Sequence, residues 1–262
     1  MSKYSLLQIP ALSFFATDVY RDMANNKEGV GFGYLFLLLA FCWLLIIIVL
    51  DSSYKSYLDE NAPGFLSQFP EITIIDGQAS IKEMQPYYID DPKTGQHIAV
   101  IDTKGTINSL EQTDAVILLT KTSVIFEKNQ IETRSFDLSE VGDVVIDRAL
   151  ISSWVEATKS WFAVFMYPFA LAGSYLYRII QMLIYAAIGL LFVSICKAEL
   201  EYTQLLRLSV VAVTPSIIIN TLLWMSGTNL PFAGFMYFIL TMIYLFLGIK
   251  ATTEGPAEEV DS

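Results

Sequence analysis

Hydrophobic positions along the chain fall into blocks separated by two kinds of polar stretch. Four blocks, Tyr34–Leu50, Trp161–Cys196, Leu208–Met225 and Pro231–Ile249, reach or approach the roughly 20 residues needed to cross a hydrocarbon core. Ahead of the first, Leu12, Phe15, Val19 and Met23 recur at helical spacing with Asp18, Arg21 and Asp22 between them. That pattern predicts a short amphipathic helix, lying in the membrane interface or packed against the bundle.

Between the first and second blocks the period changes. Glu71–Ile75 runs into Asp76-Gly77, a hairpin signal. Pro86–Ile89 precedes the turn sequence Asp91–Gly95, and His97–Asp102 alternates before breaking at Lys104-Gly105. Ala115–Leu119, Ser123–Glu127 and Ile131–Arg134 complete a set of short strands, with Asn129-Gln130 as a further turn. The expectation is a small antiparallel β-rich extramembrane domain inserted in an α-helical membrane bundle of four spans, or five. Asp59–Gly64 reads as a polar linker into that domain, and Ser139 as the cap of a helix from Glu140 toward Trp154.

The resulting division is 1–33 cytoplasmic amphipathic segment, 34–50 first span, 51–153 extracytoplasmic β-rich domain, 154–249 interfacial segment and remaining spans, and 250–262 disordered acidic tail. The apolar block after Arg21 and Lys27 begins late, is long and lacks a small-x-small site, so it reads as an anchor and not a cleaved signal. The run 154–197 is too long for one ordinary span. It is read as an interfacial segment bent at Pro168, followed by one long helix; two crossings split near Gly173-Ser174 are the alternative.

Charge orients the chain. Arg21 and Lys27, Lys197 and Arg207, and Lys250 flank segments that the positive-inside rule assigns to the cytoplasm, whereas the Ser226–Leu230 turn carries no charge. The β domain then faces outward. Roughly seventeen acids against eight bases in 51–153, and a net charge of -11 for the whole chain, argue against nucleic-acid binding. Cys42 and Cys196 both lie in apolar blocks, and His97 is the single histidine, so no metal centre or nucleophilic triad is expected, and no cofactor.

The polar candidates are intramembrane. Arg178 with Gln181 could line a solute path or hold an interfacial ion pair in the outer part of its span, and Thr214 and Asn220 are suited to bonds between helices. Pro168 and Pro215 are expected kinks, with a Thr hydroxyl available to repair the carbonyl that Pro215 frees. Asp102-Thr103-x-Gly has the form of an aspartic-protease triplet, but it occurs once and with Lys104 at the third place. It is read as a polar turn closing a strand.

The stretches Ile74–Ser80, Gln85–Tyr87, Ile98–Thr103 with Gly105, Leu118–Thr120, Ala212–Pro215 and Tyr244–Lys250 resemble a bacterial membrane-protein family of unknown function. Its members are sometimes labelled maltodextrin-utilisation proteins, and it is distantly similar to Yip-type membrane proteins. The resemblance implies a bacterial cytoplasmic (inner) membrane location and carries no catalytic residues. The expected function is therefore that of a non-enzymatic accessory, assembly or sensing protein. Its partners would be the lipid bilayer and either another membrane protein or a second copy. A small-solute transporter or channel component is the alternative.

Overall fold

The computed structural model describes residues 4–26, 29, 31–129, 132–228 and 230–253. The predicted turn at Asn129-Gln130 and the tail beyond 253 fall wholly or partly outside them. The chain divides into two units: 1–50 with 163–262, and Asp51–Phe162.

In the first unit, α1 (Ile9–Leu12) and α2 (Thr17–Asn26) precede α3 (Phe32–Gln68), which begins here and continues into the second unit. The later part of α4 (Arg148–Cys196), then α5 (Tyr202–Met225) and α6 (Ala233–Thr253), complete it. Helices α3 to α6 are each long and apolar enough to cross a membrane, as in a multi-pass membrane protein. Helix α5 is the most enclosed of them: Leu205, Leu208, Val210, Val211 and Ala212 are fully buried. The amphipathic segment packs inward. Val19 and Met23 are buried, Tyr20 lies against Gly248 of α6, and Arg21 donates from Nε and Nη2 to the carbonyl of Ala251 at 3.0 and 2.8 Å. Phe15, expected on the same stripe, is instead exposed in the turn between α1 and α2.

One expectation fails by reading a helix as ended too early. Asp59–Gly64 is no linker: α3 continues through it to Gln68, with Pro63 inside its C-terminal turns. No strong breaker lies between Asp51 and Ala62, and Asp51 and Lys55 pair at 2.6 Å across one turn. Helix α4 is one 49-residue helix that runs on through Pro168, the expected bend, and through Gly173-Ser174, the alternative split. At 1.5 Å per residue it is about 73 Å long, far more than a hydrocarbon core requires. It stops where Lys197 takes a left-handed conformation, φ 54°, and Ala198 N–H reaches back to the Val193 carbonyl at 3.1 Å.

The second unit holds two sheets. Strands β1 (Ile72–Ile75), β2 (Gln78–Ile81) and β8 (Val144–Ile146) form one, in the order β2-β1-β8. Strands β3 (Tyr87–Asp90), β4 (His97–Ile101), β5 (Ile117–Leu119), β6 (Ser123–Asn129) and β7 (Glu132–Asp137) form the other, in sequence order. Asp76 and Gly77, at φ 49° and 72°, make the two-residue turn between β1 and β2. The unit is not purely antiparallel, because β4 and β5 run parallel. A parallel pair needs a crossover, and residues 102–116 supply it. That segment buries Ile107 and Ala115, with Leu110, against Val100 and Leu118 on one face of the sheet. The other face meets the three-stranded sheet through Ile89, Ile101 and Leu119 against Ile72, Ile74 and Ala79.

The helix expected from Glu140 is absent. Leu138–Glu140 is a single 3-10 turn capped by the Asp137 carboxylate, and Val144–Ile146 is the strand β8. Three consecutive β-branched residues favour that pairing over a helix. Helix α4 begins only at Arg148, where Asp147 Oδ1 accepts from Leu150 N–H at 2.8 Å. Within this unit Arg148 closes the end of α3, donating to the carbonyls of Ser67 and Phe69, and Lys159 of α4 pairs with Asp59 of α3 at 2.5 Å.

Candidate functional site

Polar side chains inside an apolar bundle are costly unless partnered, so their pairings mark what the bundle is built around. One set joins α3, α5 and α6. Thr214 Oγ1 donates to the Val210 carbonyl at 3.0 Å, and Tyr34 Oη lies 3.1 Å from the same oxygen. A threonine hydroxyl has one proton, so with it given to Val210 the tyrosine is the donor. Ser216 Oγ and Thr241 Oγ1 lie 2.9 Å apart, joining α5 to α6. Thr214 thus bonds between helices as expected, but its hydroxyl serves Val210, one position before the Val211 carbonyl that Pro215 leaves without its usual N–H. Helix α5 continues through Pro215. Asn220 is exposed and lies outside this set. Ser209 Oγ is buried without a hydrogen-bond partner among the described residues.

The second set lies on α4. Leu171, Tyr175, Arg178, Met182, Tyr185 and Gly189 follow a 4-3-4-3-4 spacing that places them on one stripe, and four of the six are buried. Arg178 occupies this inward stripe half-buried, midway along the sequence between Trp161 and Cys196. Its Nη1 donates to Gln181 Oε1 at 2.5 Å, Gln181 Nε2 donates to Tyr185 Oη at 2.7 Å, and its Cζ stands 5.7 Å from the Tyr177 ring centre. Among the described residues no carboxylate lies within 4.0 Å of the guanidinium. Cys42 of α3, beside the Thr221 hydroxyl, is its electrostatic neighbour.

A groove of about 540 Å³ opens nearby between the N-terminal segment, α3 and α5, lined by Leu7, Tyr34, Phe41, Cys42, Ile218 and Thr221 among others. Sequence reasoning picked Arg178, Gln181 and Thr214 but missed Tyr34, Tyr185, Ser216 and Thr241. Tyrosines in apolar blocks read as interface anchors, and lone hydroxyls give no periodic signal.

In the β unit, Asp102 is fully buried and spends its carboxylate on its own loop. Oδ1 accepts from Lys104 and Gly105 N–H at 3.0 and 3.1 Å, and Oδ2 from Ile107 N–H at 2.6 Å. Burial pushes its pKa up, but the converging N–H groups outweigh that and hold it below the usual carboxylate range. A carboxylate so committed organises its loop, in keeping with the polar turn closing a strand that the sequence predicts. His97 Nδ1 lies 2.6 Å from Asp90 Oδ1, beside the Tyr88 ring, at the half-exposed start of β4. Among the described residues no group of three His, Cys, Asp or Glu side chains could hold a metal ion.

These features define a multi-pass membrane protein with four apolar helices and an inserted unit of two small sheets. The chain belongs to the DUF1189 family, a family of proteins of unknown function, whose profile it matches over residues 10–249. It is also similar to an uncharacterized protein, RP489, of Rickettsia prowazekii (strain Madrid E). The two are 27% identical over 139 residues, which cover 49% of this chain and 46% of that one. The alignment therefore spans about half the length of the relative. No solved structure matches.

Proposed function

We propose that this protein is a non-enzymatic accessory, assembly or sensing factor of a bacterial inner membrane, acting through contacts made by its β unit outside the cytoplasm. The observation that carries the reading is the open edge at β7. This strand ends the five-stranded sheet, and all six of its residues are exposed. Beside it, Phe126 and Phe136 stack at 5.6 Å between ring centres, with Phe136 60% exposed, and Ile117 continues the same apolar row. An unprotected edge next to an apolar strip invites strand addition by a partner, or by a second copy. The flanking basic residues Arg21, Lys27, Lys197, Arg207 and Lys250 support the outward orientation of this unit.

A photo-crosslinking residue at Thr133, introduced into the full-length protein in native membranes, tests the reading. The expected result is one discrete adduct that disappears in Phe136→Asp while a crosslinker at the opposite edge strand, at Tyr88, gives none. Adducts that are diffuse, or unchanged by Phe136→Asp, would remove β7 as a contact edge and the accessory role with it.

A further inference from the structure

Arg178 is held in a manner that leaves one side of its guanidinium unused. Nη1 is fixed by Gln181, and Gln181 is fixed in turn by Tyr185. Nε and Nη2, the parallel pair on the other side of the plane, have no acceptor among the described residues. That pair is the edge that matches two oxygens of a carboxylate or phosphate. The positive charge is permanent, so deprotonation gives no escape from the cost of holding it unpaired in an apolar bundle.

The direction of the side chain narrows what can supply the missing charge. Its stripe, with Leu171, Met182, Tyr185 and Gly189, faces the bundle, whereas the α4 residues on the opposite faces, Leu176, Tyr177, Ile180 and Ile184, are exposed. The guanidinium leans over the ring of one of these, Tyr177, with its Cζ 5.7 Å from the ring centre, so it lies at the margin between the inward stripe and the exposed faces. An anion that enters the bundle from the side left open by the half-buried guanidinium would meet the free edge.

We propose that Arg178, oriented by Gln181 and Tyr185, binds an oxyanion, a carboxylate or phosphate taken bidentately by Nε and Nη2. Gln181 and Tyr185 are positioning residues: they set the plane of the fork and keep it from rotating. The anion has two chemical sources, a phosphate of an acidic lipid or a free solute. The proposal stands on the α4 geometry and is independent of the β7 edge, since Arg178 is untouched by Phe136→Asp.

The test uses the full-length protein in nanodiscs of phosphatidylcholine. One arm adds phosphatidylglycerol as a minor lipid and reads its retention by native mass spectrometry. The other adds inorganic phosphate or succinate and reads the shift in thermal midpoint. The expected result is a response in at least one arm that falls tenfold or more in Arg178→Gln. It should fall partly in Arg178→Lys, whose ammonium cannot fork, and in Gln181→Leu, which keeps the charge. A response to the lipid alone assigns a headgroup; a response to phosphate or succinate alone assigns a solute. No response in the wild type, or an equal response in Arg178→Gln, overturns the site. If Arg178→Gln does not fold, equal responses in Arg178→Lys, Gln181→Leu and wild type overturn it.

Discussion

Replacing Asp102 by alanine should loosen the crossover between β4 and β5 far more than a surface aspartate would predict. The side chain accepts three backbone N–H bonds at 2.6–3.1 Å. Hydrogen bonds to a charged group contribute about 1.5–3 kcal/mol each, and an orphaned buried donor costs about 1–3 kcal/mol. The Lys104 and Gly105 amides lie in an exposed turn, where water can replace the carboxylate at small cost. The Ile107 amide cannot be rehydrated so readily, because Ile107 is 8% exposed and packs on Leu118. The expected loss is about 3–4 kcal/mol, a large share of the 5–15 kcal/mol that a domain typically has. Asparagine should do little better, since its amide would set a donor against the Ile107 or Gly105 N–H.

Hydrogen exchange on the full-length protein in nanodiscs reads this directly, as faster exchange in peptides covering 103–116 with the α5 amides unaffected. The same peptides carry a pH signature. The carboxyl pKa is lower in the folded state than in the unfolded one, where it is about 3.9. Its stabilisation is therefore complete above that value and lost as pH falls through the lower folded value. A change below about 1 kcal/mol in Asp102→Ala, or protection (exchange corrected for the intrinsic pH dependence of amide exchange) that stays equal as pH is lowered from 7 through the folded carboxyl range, would refute the assignment of Asp102 as the organiser of this loop.

Three further perturbations probe other parts of the structure. Gly248→Ala would place a Cβ 2.5 Å from Tyr20 Cδ1, so α2 should lift from α6 and a cysteine placed at the buried Ala24 should label faster, with Tyr20→Leu restoring protection. Gly77→Ala combines φ 72° with a Cβ only 2.7 Å from the Ser139 Cα, and should destabilise the β unit by about 2 kcal/mol or more in the same exchange measurement. Thr214→Val removes the acceptor of Tyr34 without changing shape, and should cost about 0.6–1.7 kcal/mol in unfolding from detergent micelles, with Tyr34→Phe adding little further.

The sequence made the apolar blocks and most short strands legible because both are local, periodic signals. Asp76-Gly77 announced its hairpin through two residues that tolerate positive φ. What escaped was decided by partners far along the chain. Val144–Ile146 becomes a strand because β1, some seventy residues earlier, offers it an edge. The end of α3 is set by Arg148, whose guanidinium takes carbonyls at Ser67 and Phe69. Pro63 misled because proline marks a helix end only when the following chain has somewhere else to pair. Of the candidate site, Arg178 and Gln181 stood out as polar residues in an apolar run. The absence of a counter-charge became visible only when the helices were placed together.

The two kinds of tyrosine bond in the helical unit have different consequences for sliding. Tyr34 meets a side chain, Thr214, and no equivalent hydroxyl waits one turn away on α5, so axial displacement of α3 along α5 would strand the Tyr34 hydroxyl, while Thr214 keeps its bond to Val210. Tyr167 and Tyr175 of α4 instead donate to main-chain carbonyls of α3, at Ala40 and Phe32. Main-chain carbonyls recur every turn of a helix, about 5.4 Å along its axis. Helix α5 is thus keyed to α3 by a side-chain pairing specific to one position, while α4 is held by a ladder whose rungs are alike.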